Sequence, residues 1–443
     1  MQIAAASSAN AEWLARSHAA VWHPCTQMKQ HERLPLVPIA RARGVWLFDF
    51  DGNRYLDAVS SWWVNLFGHA HPKINAAISA QLAELEHVML AGFTQRPVVE
   101  LSERLAALAP GRLGHCFFGS DGASAVEIAL KMSFHAWRNA GRSGKTGFVS
   151  LAGSYHGETL GALAVTDVAL FRDAYAPLLR QQRTVASPDA RRAAPGVSAR
   201  DHALDAADAL HAFLEEHHAT TAALIVEPLV QGAAGMAMYD AIYLQQARAL
   251  CTQYRVHLIA DEIMTGMGRT GTLFACEQAG IAPDFICLSK GLTGGYLPLS
   301  VVLTTDSVYA AFYDDDVTRG FLHSHSYSGN ALACRAALAV LDLLRDGDVL
   351  AANRARAARL TALAWPLTVH RKVVAFRNLG MIWAFEVDSR RDDFVRWCFS
   401  EGLARELLLR PIGRTVYWMP PYCVSDDEME LLATRTLEIV ECA

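Results

Sequence analysis

No segment of the 443-residue sequence is apolar for long enough to cross a membrane, and Met1 to Asn10 lacks a basic stretch leading into an apolar one. A membrane-spanning or exported protein is therefore not expected, and the chain should stay in the cytoplasm. Charge of one sign is not in excess either: 40 Lys and Arg stand against 45 Asp and Glu, a net charge of -5. That balance leaves no electrostatic footprint for nucleic acid or an anionic membrane, so neither partner is expected. The nine cysteines, among them Cys25, Cys116 and Cys287, are scattered, odd in number and include no C-x-x-C pair. They read as reduced core thiols, which argues against a disulfide framework. Repeats and low-complexity tracts are absent too. What is present is a packed composition, 52% hydrophobic and 19% charged, in a chain long enough for one large domain with a smaller one, or about three average domains.

The first sixty residues read as irregular, with Pro24, Pro35 and Pro38 preventing long helices, although Val45–Asp49 and Arg54–Asp57 around Asp51-Gly52 suggest a hairpin. Beyond residue 72 the period changes. Helices are expected at Ile74–Leu90, Pro97–Leu108, Ala123–Asn139 and Tyr239–Tyr254. Between them fall strand-like runs at His115–Phe118, Gly147–Leu151, Ala222–Glu227, Val256–Ala260, Phe285–Leu288 and Leu299–Leu303. Such alternation predicts an α/β fold with a mostly parallel sheet covered on both faces. Gln182–Arg200, rich in Arg, Ala, Ser and Pro, looks like a surface excursion. After a helix at Ala331–Arg345, strands near Val373 and Ile382, a helix at Asp392–Glu401 and strands at Glu406–Leu409 and Thr415–Met419 form an α+β tail. The expected organisation is an N-terminal segment (1–70) joining a small C-terminal domain (336–443), with a large domain over 71–335.

Lys290 follows the apolar run Phe285–Ser289 and precedes Gly291-Leu292-Thr293-Gly294-Gly295, while Asp261-Glu262 ends the run Val256–Ala260. A lysine and an acid at two buried strand ends suit pyridoxal 5'-phosphate, which needs an amine for its Schiff base and a carboxylate for its pyridine nitrogen. Taken alone, Lys290 would be an ordinary solvated lysine, but glycines on one side and a buried strand on the other leave it little room. Gly119-Ser120-Asp121-Gly122-Ala123-Ser124 before a helix could hold a phosphate on backbone N–H groups, with Asp121 turned away as a cap. An ordinary helix start, with Ser124 and Glu127 as a capping box, fits equally well.

Tyr155, in Gly153-Ser154-Tyr155-His156-Gly157, could stack on a planar ring or simply pack. Trp62 and Trp63, neighbours in what reads as an extended segment, would face opposite ways, so that one lines a pocket. Arg410 could grip a substrate carboxylate or make a surface salt bridge. His323-Ser324-His325 lacks the further ligands a zinc site requires, so no metal is expected. Gly266–Gly271 matches a dinucleotide fingerprint only loosely, because it follows Asp261-Glu262 and does not open a helix.

Leu258–Gly271 and Leu288–Gly295, with Trp22-His23-Pro24, Ser60–Trp63, Leu130-Lys131-Met132, Tyr155-His156-Gly157, Ile225–Pro228 and Arg410-Pro411 followed by Tyr417–Tyr422, resemble the class III aminotransferases. The resemblance spans about residues 20–425. It implies the fold-type I architecture, pyridoxal phosphate as cofactor, and a homodimer with its site at the interface. The implied activity is amino transfer from S-adenosylmethionine to 8-amino-7-oxononanoate. Lys290 would carry the cofactor and shuttle the proton, Asp261 would pair with the pyridinium, and Tyr155 would stack on the ring. Gly122 and Ala123 would bind the phosphate together with Ser326, where the family has a threonine from the neighbouring subunit, and His325, where it often has proline. Trp62, Ser324, Arg410 and Tyr417 would shape the substrate pocket, and Cys25 replaces a tyrosine that touches substrate in many members. Two other readings stand beside this one. Another class III transaminase, acting on ornithine, 4-aminobutyrate or a β-amino acid, is opposed by Trp62-Trp63 and Tyr417; a non-catalytic pyridoxal-phosphate domain of a regulator is opposed by the lack of a basic or DNA-binding module.

Overall fold

The computed structural model describes residues 8–34, 36–180 and 182–443, so Pro35 and residues 1–7 of the N-terminal stretch lie outside the described residues. In chain order the strands are β1 (Ile39–Arg43), β2 (Trp46–Asp49), β3 (Arg54–Asp57), β4 (His115–Gly119), β5 (Gly147–Leu151), β6 (Arg183–Val185) and β7 (Thr221–Val226). They continue with β8 (Val230–Gln231), β9 (Ala237–Met238), β10 (His257–Asp261), β11 (Phe285–Leu288), β12 (Ser300–Thr304), β13 (Val373–Leu379), β14 (Ile382–Val387), β15 (Leu407–Leu408) and β16 (Thr415–Trp418).

Seven of them form the central sheet, in the order β4-β12-β11-β10-β7-β5-β6. Neighbours from β11 to β6 pair parallel, and only β12 runs against both of its neighbours. Every residue of β7, β11 and β12 is buried, which is why these strands are continuous apolar runs without alternation. Helices Gly122–Asn139, Ala331–Asp346 and Ile242–Gln253 supply the covering apolar faces. The expected α/β sheet is therefore present. Beside it lie the sheet β1-β2-β3-β15, in which Leu407 pairs with Leu56, and the sheet β13-β14-β16.

Three local expectations need correction. The N-terminal stretch is not wholly irregular: Ser8 caps a helix over Ala9–Ala20, and Pro24 and Pro38 come only after it. The helix expected to reach Leu90 ends at Leu82, where the Gln81 amide donates to the Leu85 carbonyl and redirects the chain. The segment 182–200 is more than a surface excursion. It contributes edge strand β6, and Val185, Ser187 and Asp189 are buried.

Candidate active site

The carboxyl ends of β5, β7, β10 and β11 deliver Ser154–His156, Glu227, Asp261 and Lys290 to one side of the sheet, where open α/β folds place their ligands. Lys290 has φ +43° and begins a short 3-10 turn, Lys290–Thr293. The glycines after it let the chain press on another segment: a Cβ on Gly291 would sit 3.1 Å from Leu66, and one on Gly295 3.1 Å from Val64. Its Nζ lies 4.7 Å from the centre of the Trp63 ring. Burial pushes the Lys290 ammonium down from its ordinary pKa, against the opposing charges of Asp261 and Glu227. An amine that loses its proton more readily is a better nucleophile.

Asp261 is 4% exposed, and its Oδ2 is 2.7 Å from His156 Nδ1. The other ring nitrogen of His156, Nε2, is buried without a partner among the described residues. Donation from Nδ1 fixes the Asp261 carboxylate. Glu227, 6% exposed, accepts from the N–H groups of Tyr155 (3.0 Å) and Gly232 (2.9 Å). Burial raises its pKa to about 7, with His156 lowering it and Asp261 raising it. Tyr155 donates from its hydroxyl to Glu158 Oε1 at 2.9 Å, and Cys25 Sγ reaches the same oxygen at 3.9 Å.

Trp62 and Trp63 do take opposite roles, but not because the segment is extended. Ser60, Ser61, Trp62 and Trp63 all have φ between +47° and +74°, a left-handed turn that costs roughly 1–2 kcal/mol per residue. It is held by Ser60 Oγ on the Met419 carbonyl (2.6 Å), by Ser61 N and Oγ on Asp57 (2.8 and 2.7 Å), and by Trp63 Nε1 on Tyr417 Oη (3.1 Å). The result buries Trp63 beside Lys290 and leaves Trp62 40% exposed, with the Arg410 guanidinium 4.2 Å over its ring. Arg410 is itself exposed and makes no salt bridge among the described residues.

The helix Gly122–Asn139 starts against this floor. Asp121 caps it by accepting from Ser124 N at 2.9 Å, so the capping box at Ser124 and Glu127 is not formed. Glu127 instead accepts from Gly161 N at 2.7 Å. The N–H groups of Gly122 and Ala123 are the unpaired donors of a helix start. Ser324, His325 and Ser326 sit on a neighbouring loop, and His325 Nδ1 is 3.0 Å from Ser120 Oγ. Ser324 and Ser326 are exposed, and no hydrogen bond among the described residues joins their side chains to Lys290. The described residues contain no metal-binding cluster. Gly266–Gly271 opens no helix, and Arg269 within it is buried on the carbonyls of Pro420 (2.8 Å) and Asn65 (2.9 Å), so the dinucleotide likeness has no structural basis.

The family description "Aminotransferase class-III" matches residues 27–440. The chain belongs to the class III aminotransferases. A curated relative from Helicobacter pylori, named adenosylmethionine-8-amino-7-oxononanoate aminotransferase, is 44% identical over 430 residues, 95% of this chain and 96% of that one. The crystal structure of the Methanocaldococcus jannaschii protein of that name superposes with a TM-score of 0.92 at 31% identity, covering 98% of this chain and 99% of that one. An amine transaminase from an uncultivated Pseudomonas species, solved with pyridoxal phosphate bound, gives 0.88 at 31% identity over 96% and 99%. Pyridoxal 5'-phosphate is the cofactor of this class III aminotransferase. The residues present fit it: a desolvated amine, a buried carboxylate held by an imidazole, and free N–H donors at a helix start.

His156, Glu227 and Glu158 were not singled out by sequence reasoning. The sequence carried the first two only inside the motifs Tyr155-His156-Gly157 and Ile225–Pro228, without a role, and by position: Glu227 follows β7, next to the strand bearing Asp261, and His156 follows β5, the strand beyond it.

Proposed function

We propose that this aminotransferase moves an amino group from S-adenosylmethionine to 8-amino-7-oxononanoate, giving 7,8-diaminononanoate for biotin synthesis. One observation carries the reading: a desolvated lysine and a buried carboxylate end adjacent parallel strands, in a chain nearly collinear with relatives named for that reaction. Bound pyridoxal phosphate supplies a carbon that takes the amino group in one half-reaction and returns it in the other, with a ring that withdraws electrons.

Lys290 would hold the cofactor through its amine, and the same amine would hold and return the proton at the substrate carbon. Asp261 keeps the pyridine nitrogen protonated, and His156, 2.7 Å away, fixes that carboxylate. The N–H groups of Gly122 and Ala123 hold the phosphate, joined by Ser326 and His325 across a homodimer interface. Tyr155 stacks on the ring. Arg410, laid over Trp62, grips the acceptor's carboxylate, and Tyr417, fixed by Trp63, closes the wall with Ser324. Cys25 lies at the donor side near Glu158, and its thiol stays protonated because partial burial and the Glu158 charge both raise its pKa. The enzyme works in the cytoplasm.

A broader amine transaminase activity is the second reading, favoured by the equal 31% identity of the amine transaminase structure. Mixing holoenzyme separately with S-adenosylmethionine, lysine and simple amines separates the two. Bleaching of the cofactor's visible band by S-adenosylmethionine is the expected result, and bleaching by simple amines alone overturns the substrate assignment.

A further inference from the structure

The segment 182–200 has no place in the chemistry above, yet it carries a half-buried charge network that ends at the active site. Arg191 forks onto Asp189 (Nη2 to Oδ2, 2.8 Å) and reaches Glu386 Oε1 at 2.8 Å through Nη1. Arg377 grips the same Glu386 with both guanidinium nitrogens, at 2.9 and 3.0 Å, and Thr415 adds a hydroxyl at 3.2 Å. One carboxylate on β14 thus gathers residues from the 190–192 turn, β13 and β16.

Both arginines continue past Glu386 to a single target, the turn between β8 and β9. Arg191 donates to the Ala234 carbonyl (2.8 Å) and, more weakly, to that of Gly235 (3.4 Å). Arg377 donates to the carbonyls of Gly235 and Met236, the latter at 2.8 Å. Gly235 has φ +79°, and a Cβ there would meet Thr415 Oγ1 at 2.6 Å, so the turn is seated directly on the network. At the other end of the same turn, Gly232 donates its N–H to Glu227 Oε1, and a Cβ on Gly232 would come within 3.2 Å of the Trp63 ring and of Met264. Ser187, also in the segment, holds Gln231 from the side.

We propose that Glu386 is a positioning residue for transamination: through Arg191 and Arg377 it clamps the turn 232–236, and the turn in turn seats the Glu227 carboxylate beside Asp261, His156 and Lys290. The proposal rests on the reading of the Lys290 pocket given above. The network is neutral as drawn, with Asp189 and Glu386 facing Arg191 and Arg377, while Arg192 stands 3.8 Å from Asp189 at its edge. Removing the Glu386 charge leaves Arg191 with Asp189 alone and Arg377 with no carboxylate, only the carbonyls of Ala375, Gly235 and Met236, so the hold of Arg377 on the turn loosens most.

The test is a double-mutant cycle in the holoenzyme with Glu386→Gln and Glu227→Gln, reading kcat, KM and the pH midpoint of the cofactor's visible band. The expected result is that Glu386→Gln lowers kcat by about tenfold with little change in KM, as mispositioning does. It should also move the band midpoint in the same direction as Glu227→Gln and add nothing to the midpoint once Glu227 is already replaced. Glu386→Asp should restore part of the loss. Additive midpoint shifts, or a change in thermal stability alone, would overturn the proposal. If Glu227→Gln itself leaves the band unmoved, the pocket reading fails first and the proposal with it. Should Glu386→Gln not fold, Arg377→Lys keeps the charge but loses the fork, and it must show the same midpoint shift.

Discussion

At the residue scale, Glu227 has a consequence that can be measured without substrate. Its carboxyl titrates at about 7 in the folded protein, against an ordinary value of 4.5, because it is buried. An acid whose folded pKa is raised contributes its stability fully below the lower value and loses it as pH rises through the upper one. Stability relative to Glu227→Gln should therefore fall between about pH 4.5 and 7, by about 3 kcal/mol at most, and level off above. Scanning fluorimetry of both proteins across that range checks it, and a flat difference would contradict the burial of Glu227. Arg410→Ala should raise KM for 8-amino-7-oxononanoate by about tenfold or more, with a smaller effect on the donor, because a bidentate charged contact is lost. Steady-state kinetics with each substrate varied would show it, and equal effects on both would count against the assignment. Lys290, Asp261 and Arg410 stand out in the sequence as candidates because strand ends and glycines flag them. His156 and Glu227 do not, since their importance comes from each other and from Asp261, across three strands far apart in the chain.

At the element scale, what sequence reasoning recovered follows from burial. β5, β7, β10, β11 and β12 lie within about a residue of their expected bounds, because strands covered on both faces must be continuous apolar runs. Where tertiary contacts decide, it failed. Nothing local in Ser60–Trp63 announces four left-handed residues; the turn exists because Asp57, Met419 and Tyr417 hold it. Gly157 shows the reverse, a glycine whose need is geometric: φ is +125°, and a Cβ would fall 2.6 Å from Ala123 Cβ. Gly157→Ala should push the start of the helix Gly122–Asn139 off its site and weaken pyridoxal phosphate binding by about tenfold, the size of a small overpacking strain. Reconstitution of the apoenzyme, followed by absorbance, measures this. Unchanged affinity would mean that the Gly122–Ala123 N–H groups do not hold the phosphate.

For the whole molecule, the N-terminal strands and the C-terminal tail share one apolar core with the central sheet, and the buried Arg269 is a polar tie within it. It is 1% exposed and makes no salt bridge among the described residues, and its guanidinium joins Asn65 to Pro420 while lying 4.9 Å from the Tyr422 ring centre. Arg269→Met should leave those carbonyls bare and cost about 3 kcal/mol, seen as a lowered midpoint in denaturant unfolding. All of the proposed chemistry depends on one covalent link, at Lys290 just past the end of β11. Borohydride reduction of the holoenzyme followed by peptide mapping tests that link directly. The account predicts a single reduced pyridoxyl adduct on the peptide containing Lys290, and an adduct on another lysine such as the buried Lys145, or no adduct, would contradict it.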